Sequence, residues 1–436
     1  ATKDDPRFAL AYLEQAKILL AAGQRDQALR AVQAASMSQP DTVDRAQLDY
    51  LAAVARGNTG DREKALASLA KSTPSDPKVY KELAELESAQ RIFTDAVRSF
   101  EKAGALDPQD PEIWNQLGYM RAFAGDLNGA RGALDRYQEL VPPENANPLD
   151  SLGEVSFYLG DFAAAERYFL EADQKNREEF GGADLLKAAQ ARLMTGDLAG
   201  GNDLFQKYAA FAERRDRGRA AYARTQWQFL TGQRNAAMNG LEKAAAGFSG
   251  DGQSLAFSQL SFWKMQAGDR AAAAELANQA GERAMTPATR SISAVCRVIA
   301  QPPANSSGSR LADAYALLFQ KRFADAIPLL ELLYRETSPH ADGQIRTVLG
   351  WAYVESNRAE KARGLIAAYP IPLGSGEPLF ASLVFPRYLF VRGIVLQQEG
   401  KRAEAKQAYE LFLKYSGDAA DIFGDEAVAR KNLAQL

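Results

Sequence analysis

The sequence predicts an all-α solenoid: helical hairpins stacked one on the next, about eleven of them, followed by a C-terminal capping helix. Three observations carry that reading. Turn residues recur at a near-constant interval, with Gly125, Gly160, Gly196, Gly232 and Gly268 spaced 35, 36, 36 and 36 apart. A small residue sits five positions after each turn, and a bulkier one usually follows four positions later. The composition is 46% hydrophobic and 25% charged, an ordinary globular mix, so the segments between turns can bury one face.

The same register runs outward in both directions. Upstream, Gly23 leads to Ala28, Gly60 to Ala65 and Arg91 to Ala96; downstream, Lys321 leads to Ala326, Asn357 to Ala362 and Gly400 to Ala405. At Gly196 the small position is taken by Gly201. The bulkier positions include Leu69, Phe100, Leu134, Phe169, Phe205, Leu330 and Tyr409. A glycine between two helices accepts the left-handed conformation that ends the first. The small residue lets the second helix approach closely, and the residue four positions on shares its face and fills the common core. One hairpin cannot bury that face alone, so each is expected to lean only on its neighbours.

Two irregularities break the rhythm. Between Gly268 and Lys321 the interval grows to 53, and the excess includes Gln301-Pro302-Pro303-Ala304-Asn305-Ser306-Ser307-Gly308-Ser309. That composition reads as a linker or an inserted loop, preceded by an extra helix over about 287–300. The expected organisation is therefore an N-terminal array over 1–300, the 301–309 segment, and C-terminal repeats with their cap over 310–436. Between Asn357 and Gly400 the interval is 43, with Tyr369-Pro370-Ile371-Pro372 and then Leu383-Val384-Phe385-Pro386. Prolines predict non-helical chain there, and its apolar residues must dock on the array or await a partner. Gly374-Ser375-Gly376 lacks the Lys-Ser/Thr of a phosphate loop. Residues 421–436 read as the capping helix, with Ile422, Phe423, Val428 and Leu433 apolar and Asp425, Glu426, Arg430 and Lys431 solvated.

Charge and rare residues narrow the function. Lys and Arg number 52 against 55 Asp and Glu, which is no footprint for nucleic acid. No apolar run is expected to reach the roughly 20 residues of a membrane helix. One histidine, His340, and one cysteine, Cys296, cannot assemble a Cys/His zinc site, and a single cysteine forms no internal disulfide. His340 is expected at the surface of an inter-repeat loop and Cys296 as an inert thiol on an apolar helix face. Asp418, Asp421, Asp425 and Glu426 lack the spacing of a calcium loop and fit a helix start better. The run Arg214, Arg215, Arg217 and Arg219 reads as a solvated corner, or more sharply as an anion contact. Trp227 and Trp263 are 36 apart and therefore expected in the core. No catalytic residue, metal site or cofactor is assigned. The chain starts at Ala1 rather than Met, so a processed or excised piece is expected, and its compartment and oligomeric state are left open.

The repeat resembles the tetratricopeptide repeat. Trp114, Leu117-Gly118, Gly125, Ala130, Leu134 and Pro142 follow the Trp-x2-Leu-Gly…Ala…Phe…Pro pattern, with Arg121 where a tyrosine is usual. Leu152-Gly153 with Ala165 and Phe169, and Leu349-Gly350 with Tyr353 and Ala362, supply further parts. The stretches 5–12 and 147–154 are similar to repeat regions of bacterial proteins that carry serine/threonine-kinase or winged-helix domains, although no kinase motif is present.

The resemblance implies a right-handed superhelix whose first helices line a concave groove. It also implies a non-enzymatic scaffold holding a protein or peptide segment; the alternative is a sensor or regulatory module of a larger signalling protein, with a small ligand in the groove. Positions two, six or seven, and ten before each turn would face inward: Lys81 and Glu85; Asn115, Tyr119 and Phe123; Asp150, Glu154 and Tyr158; Gln190 and Met194; Tyr222 and Gln226; and Trp351. Lys81 is followed by Glu85 where a carboxylate clamp would need asparagine, so no such clamp is expected. The acids on this face favour a neutral or basic partner.

Overall fold

Turn chemistry sets the architecture. All eleven turns take φ above zero: Gly23, Gly57, Gly125, Gly160, Gly196, Gly232, Gly268 and Gly400, and also Arg91, Lys321 and Asn357. The second turn thus lies at Gly57, three residues before the expected Gly60, which is already inside a helix. Residues three apart share a helix face, so the small-residue pattern looked intact from the wrong start.

The computed structural model describes residues 9–38, 40–372, 378–418 and 420–436. Every regular element among them is a helix. Asp5 to Phe8 and Gly374 to Gly376 lie outside the described residues. The chain forms two compact units, Ala1–Pro143 and Glu144–Leu436, and the 301–309 segment lies inside the second.

The first unit holds four hairpins. They are α1 (Ala9–Ala21) with α2 (Arg25–Met37), α3 (Thr42–Arg56) with α4 (Thr59–Ser72), α5 (Pro77–Ala89) with α6 (Phe93–Leu106), and α7 (Pro111–Phe123) with α8 (Leu127–Leu140). Asp41, Asn58, Asp76, Asp110 and Asp126 accept hydrogen bonds from the first-turn amides of their helices, which fixes where each begins.

The second unit continues with α9 (Asn147–Tyr158) and α10 (Phe162–Asn176), α11 (Ala183–Met194) and α12 (Leu198–Arg215), α13 (Arg217–Leu230) and α14 (Arg234–Ala245), and α15 (Gly250–Gln266) and α16 (Arg270–Arg283). A single helix, α17 (Pro287–Ala300), comes next. It is followed by α18 (Arg310–Phe319) with α19 (Phe323–Glu336), α20 (Gly343–Glu355) with α21 (Ala359–Ile366), α22 (Pro378–Gln398) with α23 (Arg402–Ser416), and α24 (Asp425–Leu433).

Close packing inside a hairpin comes from a small residue seven positions before the turn facing a large one nine after it. A Cβ on Gly118 would stand 2.6 Å from Leu134, one on Gly153 2.4 Å from Phe169, and one on Gly393 2.6 Å from Tyr409. All three are separations no side chain tolerates, so glycine at these sites answers the bulk opposite it.

In the second unit the expectation that hairpins touch only their neighbours fails. Tyr415 Oη donates to Leu193 O at 2.7 Å and Lys414 Nζ to Gly196 O at 2.8 Å, across 222 and 218 residues. Gln266 Nε2 donates to Ser382 Oγ at 2.9 Å, and Gln259 Nε2 to Leu379 O at 3.2 Å. The last hairpin therefore lies against α13 and α15 as well as against α20 and α21.

Three further expectations are corrected here. Pro386 lies inside α22 rather than in a loop. It removes one backbone donor, but Leu383, Val384, Leu389, Phe390 and Val391 around it are all buried, and that burial outweighs the missing bond. Leu379–Gln398 is long and apolar enough to cross a membrane by length and composition, contrary to the expectation of no such run, and 78% of its apolar window is buried among the other helices. Asp425 is buried rather than solvated, while Val428 is exposed.

Candidate functional site

The positions expected to face inward, two, six and ten before each turn, lie on the first helix of each hairpin. In the first unit, Lys81 on α5 donates to Asp110 Oδ2 at 3.2 Å and to the Glu112 carboxylate. Burial opposes its charge, but these two acids outweigh that and raise its pKa. Its ammonium is thus committed to the start of the next hairpin. Glu85, one turn on, is exposed. On α7, Asn115 and Phe123 are half-buried, whereas Tyr119 is buried. The Phe123 ring lies 6.2 Å from Tyr119 and 5.3 Å from Phe93.

In the second unit most of the same positions are turned to internal use. Asp150 and Glu154 both accept from Lys187 Nζ, at 2.5 and 2.7 Å. Lys187 is itself buried, yet Glu154 and Asp150 hold its pKa above the ordinary value. Asp184 sits beside them, and burial, then the Asp150 charge, pushes its pKa up strongly. The acids expected to attract a basic partner here are neutralised by the chain's own lysine. Tyr158 O accepts from the Tyr369 amide at 2.8 Å, and the Tyr369 ring packs 4.7 Å from Phe162, so this end of the proline-rich segment docks on the array.

Gln190, Met194, Tyr222 and Gln226 do come together. They line one cavity of about 410 Å³, with Phe205, Trp227 and Leu230 beside them. Pro370 to Pro372 and residues of α22 form its other wall. Tyr222 Oη donates to Gln259 Oε1 at 3.2 Å. Gln226 Nε2 is buried with no hydrogen-bond partner among the described residues. Trp227 stacks on Phe205 at 4.7 Å and Trp263 on Phe229 at 4.3 Å, which makes both core residues, although Trp227 also borders the cavity.

Trp351 is wholly enclosed. The Arg387 guanidinium of α22 lies 4.5 Å from its ring and 4.6 Å from that of Phe423. Asp425 stands 3.4 Å from both Arg387 Nε and Trp351 Nε1. Glu355, two before the same turn, carries a pKa raised to about 7 by burial and by Asp425. Sequence reasoning reads Phe423 as an apolar residue of the cap but misses Arg387, which falls in the proline-interrupted stretch expected to be non-helical; the remaining signal is an arginine beside an apolar run.

His340 is half-buried rather than surface-exposed, and burial lowers its pKa to about 4. Cys296 is buried, its Sγ donating to Ser258 O at 3.4 Å, and burial lifts its pKa to about 12, which removes thiolate reactivity. Arg214, Arg215, Arg217 and Arg219 are exposed at the α12–α13 corner. Asp418 caps α14 from a distance, accepting from the Arg234 amide at 2.8 Å. No group of three or more His, Cys, Asp or Glu among the described residues is placed to hold a metal.

No family model matches the chain. A TPR repeat-containing protein of Pseudomonas aeruginosa is 28% identical over 171 residues, 38% of this chain and 29% of that protein. The chain thus matches less than a third of that relative's length. Among solved structures, a tetratricopeptide repeat protein from Parabacteroides merdae is similar at 15% identity, over 58% of this chain and 99% of that one, with a TM-score of 0.37. Pseudomonas aeruginosa pilF is similar at 14% identity, over 50% and 95%, with a TM-score of 0.36.

Proposed function

We propose that this chain, a member of the tetratricopeptide-repeat superfamily, is a non-enzymatic interaction scaffold that takes an extended segment of a partner protein along the inner face of its first unit. The observation carrying this reading is the contrast between units. At equivalent positions on α5 and α7 the first unit presents exposed Glu85, half-buried Asn115 and half-buried Phe123, a mixture of charge, amide and aromatic surface. Such surfaces supply both anchors and hydrogen bonds to an extended chain. In the second unit the same positions are occupied by Lys187 pairing or covered by α22 and α24.

The test is site-specific photo-crosslinking with a benzophenone amino acid at Glu85 or Asn115, against Lys102 on the exposed side of α6. A defined partner should crosslink from the two inner positions and not from Lys102. In titrations with that partner, Glu85→Lys and Asn115→Ala should weaken binding several-fold without changing the melting temperature. Equal crosslinking from Lys102, with unchanged affinity for both variants, would refute the inner-face assignment. The cavity bordered by Gln190, Met194, Tyr222 and Gln226 favours a second role as a ligand-responsive module.

A further inference from the structure

We infer that the cavity of the second unit is a binding site for a linear amphiphile: an apolar chain ending in a carboxylate. Its shape is the first reason. Ala381, Ser382, Val384, Phe385 and Tyr388 of α22 border it. Of these, 381, 384, 385 and 388 follow the i, i+3, i+4, i+7 rule and form one helical stripe about 10 Å long. The facing wall is Leu186, Met194, Phe205 and Leu230. A volume of about 410 Å³ falls in the range of small-ligand sites.

Polarity is the second reason. Of the cavity's polar groups, Ser382 and Tyr388 on α22 are already engaged, Ser382 Oγ accepting from Gln266 and Tyr388 Oη donating to Ala368 O, while Gln190 lies on α11 and Arg219, Tyr222 and Gln226 gather on α13. Tyr222 and Gln226 lie one turn apart on that helix, and Arg219, one turn before Tyr222, is exposed while also bordering the cavity. Arg219 therefore stands where the cavity meets solvent, and Gln226 offers a buried amide donor that the described residues leave without an acceptor. A buried donor without an acceptor is destabilising, because it has given up its water and gained no partner. An acceptor-bearing head group held by an arginine satisfies it, and the apolar walls take the chain. A cationic head group would meet Arg219 with the wrong charge. This site is separate from the first-unit face proposed for a protein partner.

The experiment is calorimetric titration of the whole protein with sodium laurate below its micelle concentration, with dodecyltrimethylammonium as the same chain carrying the opposite charge. Laurate should bind saturably at one site, raise the melting temperature and alter tryptophan fluorescence through Trp227. The cation should bind at least tenfold more weakly. Ala223→Phe and Ala381→Phe, which fill the cavity from opposite walls, should each abolish laurate binding, and Arg219→Glu should weaken it about tenfold. Circular dichroism identifies any variant that has not folded, and the two filling substitutions act independently. The proposal fails if laurate gives no saturable heat, if a folded filled variant binds laurate as the parent does, or if the cation or Arg219→Glu binds as well as the reference.

Discussion

The Arg387 guanidinium lies 4.5 Å from the centre of the Trp351 ring, with the Phe423 ring 4.6 Å from the same group. The two rings themselves meet edge to face 4.8 Å apart, and this three-membered cluster joins the apolar helix α22 to α20 and to the segment leading into α24. Asp425 supplies the countercharge from 3.4 Å. Removing one member of a buried ion pair leaves the other uncompensated. Arg387→Met and Asp425→Leu should each cost about 3–5 kcal/mol in urea unfolding. The double variant should cost clearly less than the two together. Strict additivity would mean that the pair is not coupled.

A second contact is backbone to backbone. Gly417 has φ 69° and ψ −139°, and a Cβ there would stand 1.9 Å from Gly232 O. Asp418 N donates to that same carbonyl at 3.2 Å. Neither the conformation nor the space admits a side chain. Gly417→Ala should lower stability by about 3 kcal/mol or more, part of it backbone strain. A loss under about 0.5 kcal/mol, the usual surface effect, would show that these backbones do not meet.

Hairpin packing gives a paired test. Gly153→Ala places a methyl 2.4 Å from Phe169, whereas Gly132→Ala, at an exposed position of α8, meets nothing within 4 Å. Alanine favours helix over glycine by about 1 kcal/mol. Gly132→Ala should therefore raise the melting temperature and Gly153→Ala lower it, the overpacking costing about 1–3 kcal/mol. Ala130, wholly buried in the same hairpin as Gly132, should respond to Ala130→Leu with a loss of similar size. Matching shifts at positions 132 and 153 would contradict the packing described.

Glu355 makes stability depend on pH. Its pKa rises from an ordinary 4.5 to about 7, first through burial and then through Asp425. The folded protein therefore holds the proton more tightly than the unfolded chain. The contribution is fully present below about pH 4.5 and is lost as pH rises through about 7. Glu355→Gln should gain stability relative to the parent as pH goes from 4.5 to 8. His340 acts in the opposite sense: burial lowers its pKa from 6.5 to about 4, so its contribution is lost as pH falls through that window. His340→Gln should flatten the acid side only. Denaturant midpoints across pH 4–8 for both variants check the two signs.

Much of this fold is written locally. Arg91, Lys321 and Asn357 were placed at turns with no glycine to mark them, because the small residue five positions later kept the register. The misplacement of the Gly57 turn has the same origin, since a three-residue shift preserves the helix face. Gln190, Met194, Tyr222 and Gln226, expected from the register to share a face, meet at one cavity. What covers them was not legible. Closure of the second unit depends on pairs such as Tyr415 with Leu193, 222 residues apart, and on how slight rotations add up from one hairpin to the next. No repeat motif encodes that sum. Proline at 386 and the charge of Asp425 both pointed to solvent, and tertiary burial overrode them.

Asn235 Nδ2 donates to Asp418 O at 3.4 Å, and both residues are exposed, which makes the closure of the second unit directly measurable. In a Cys296→Ala background, Asn235→Cys and Asp418→Cys should form an intramolecular disulfide under mild oxidation, seen as a mobility shift reversed by reductant. It should form in the folded protein and not in urea. A folded double-cysteine protein whose thiols stay free under those conditions would contradict a last hairpin seated against its own array.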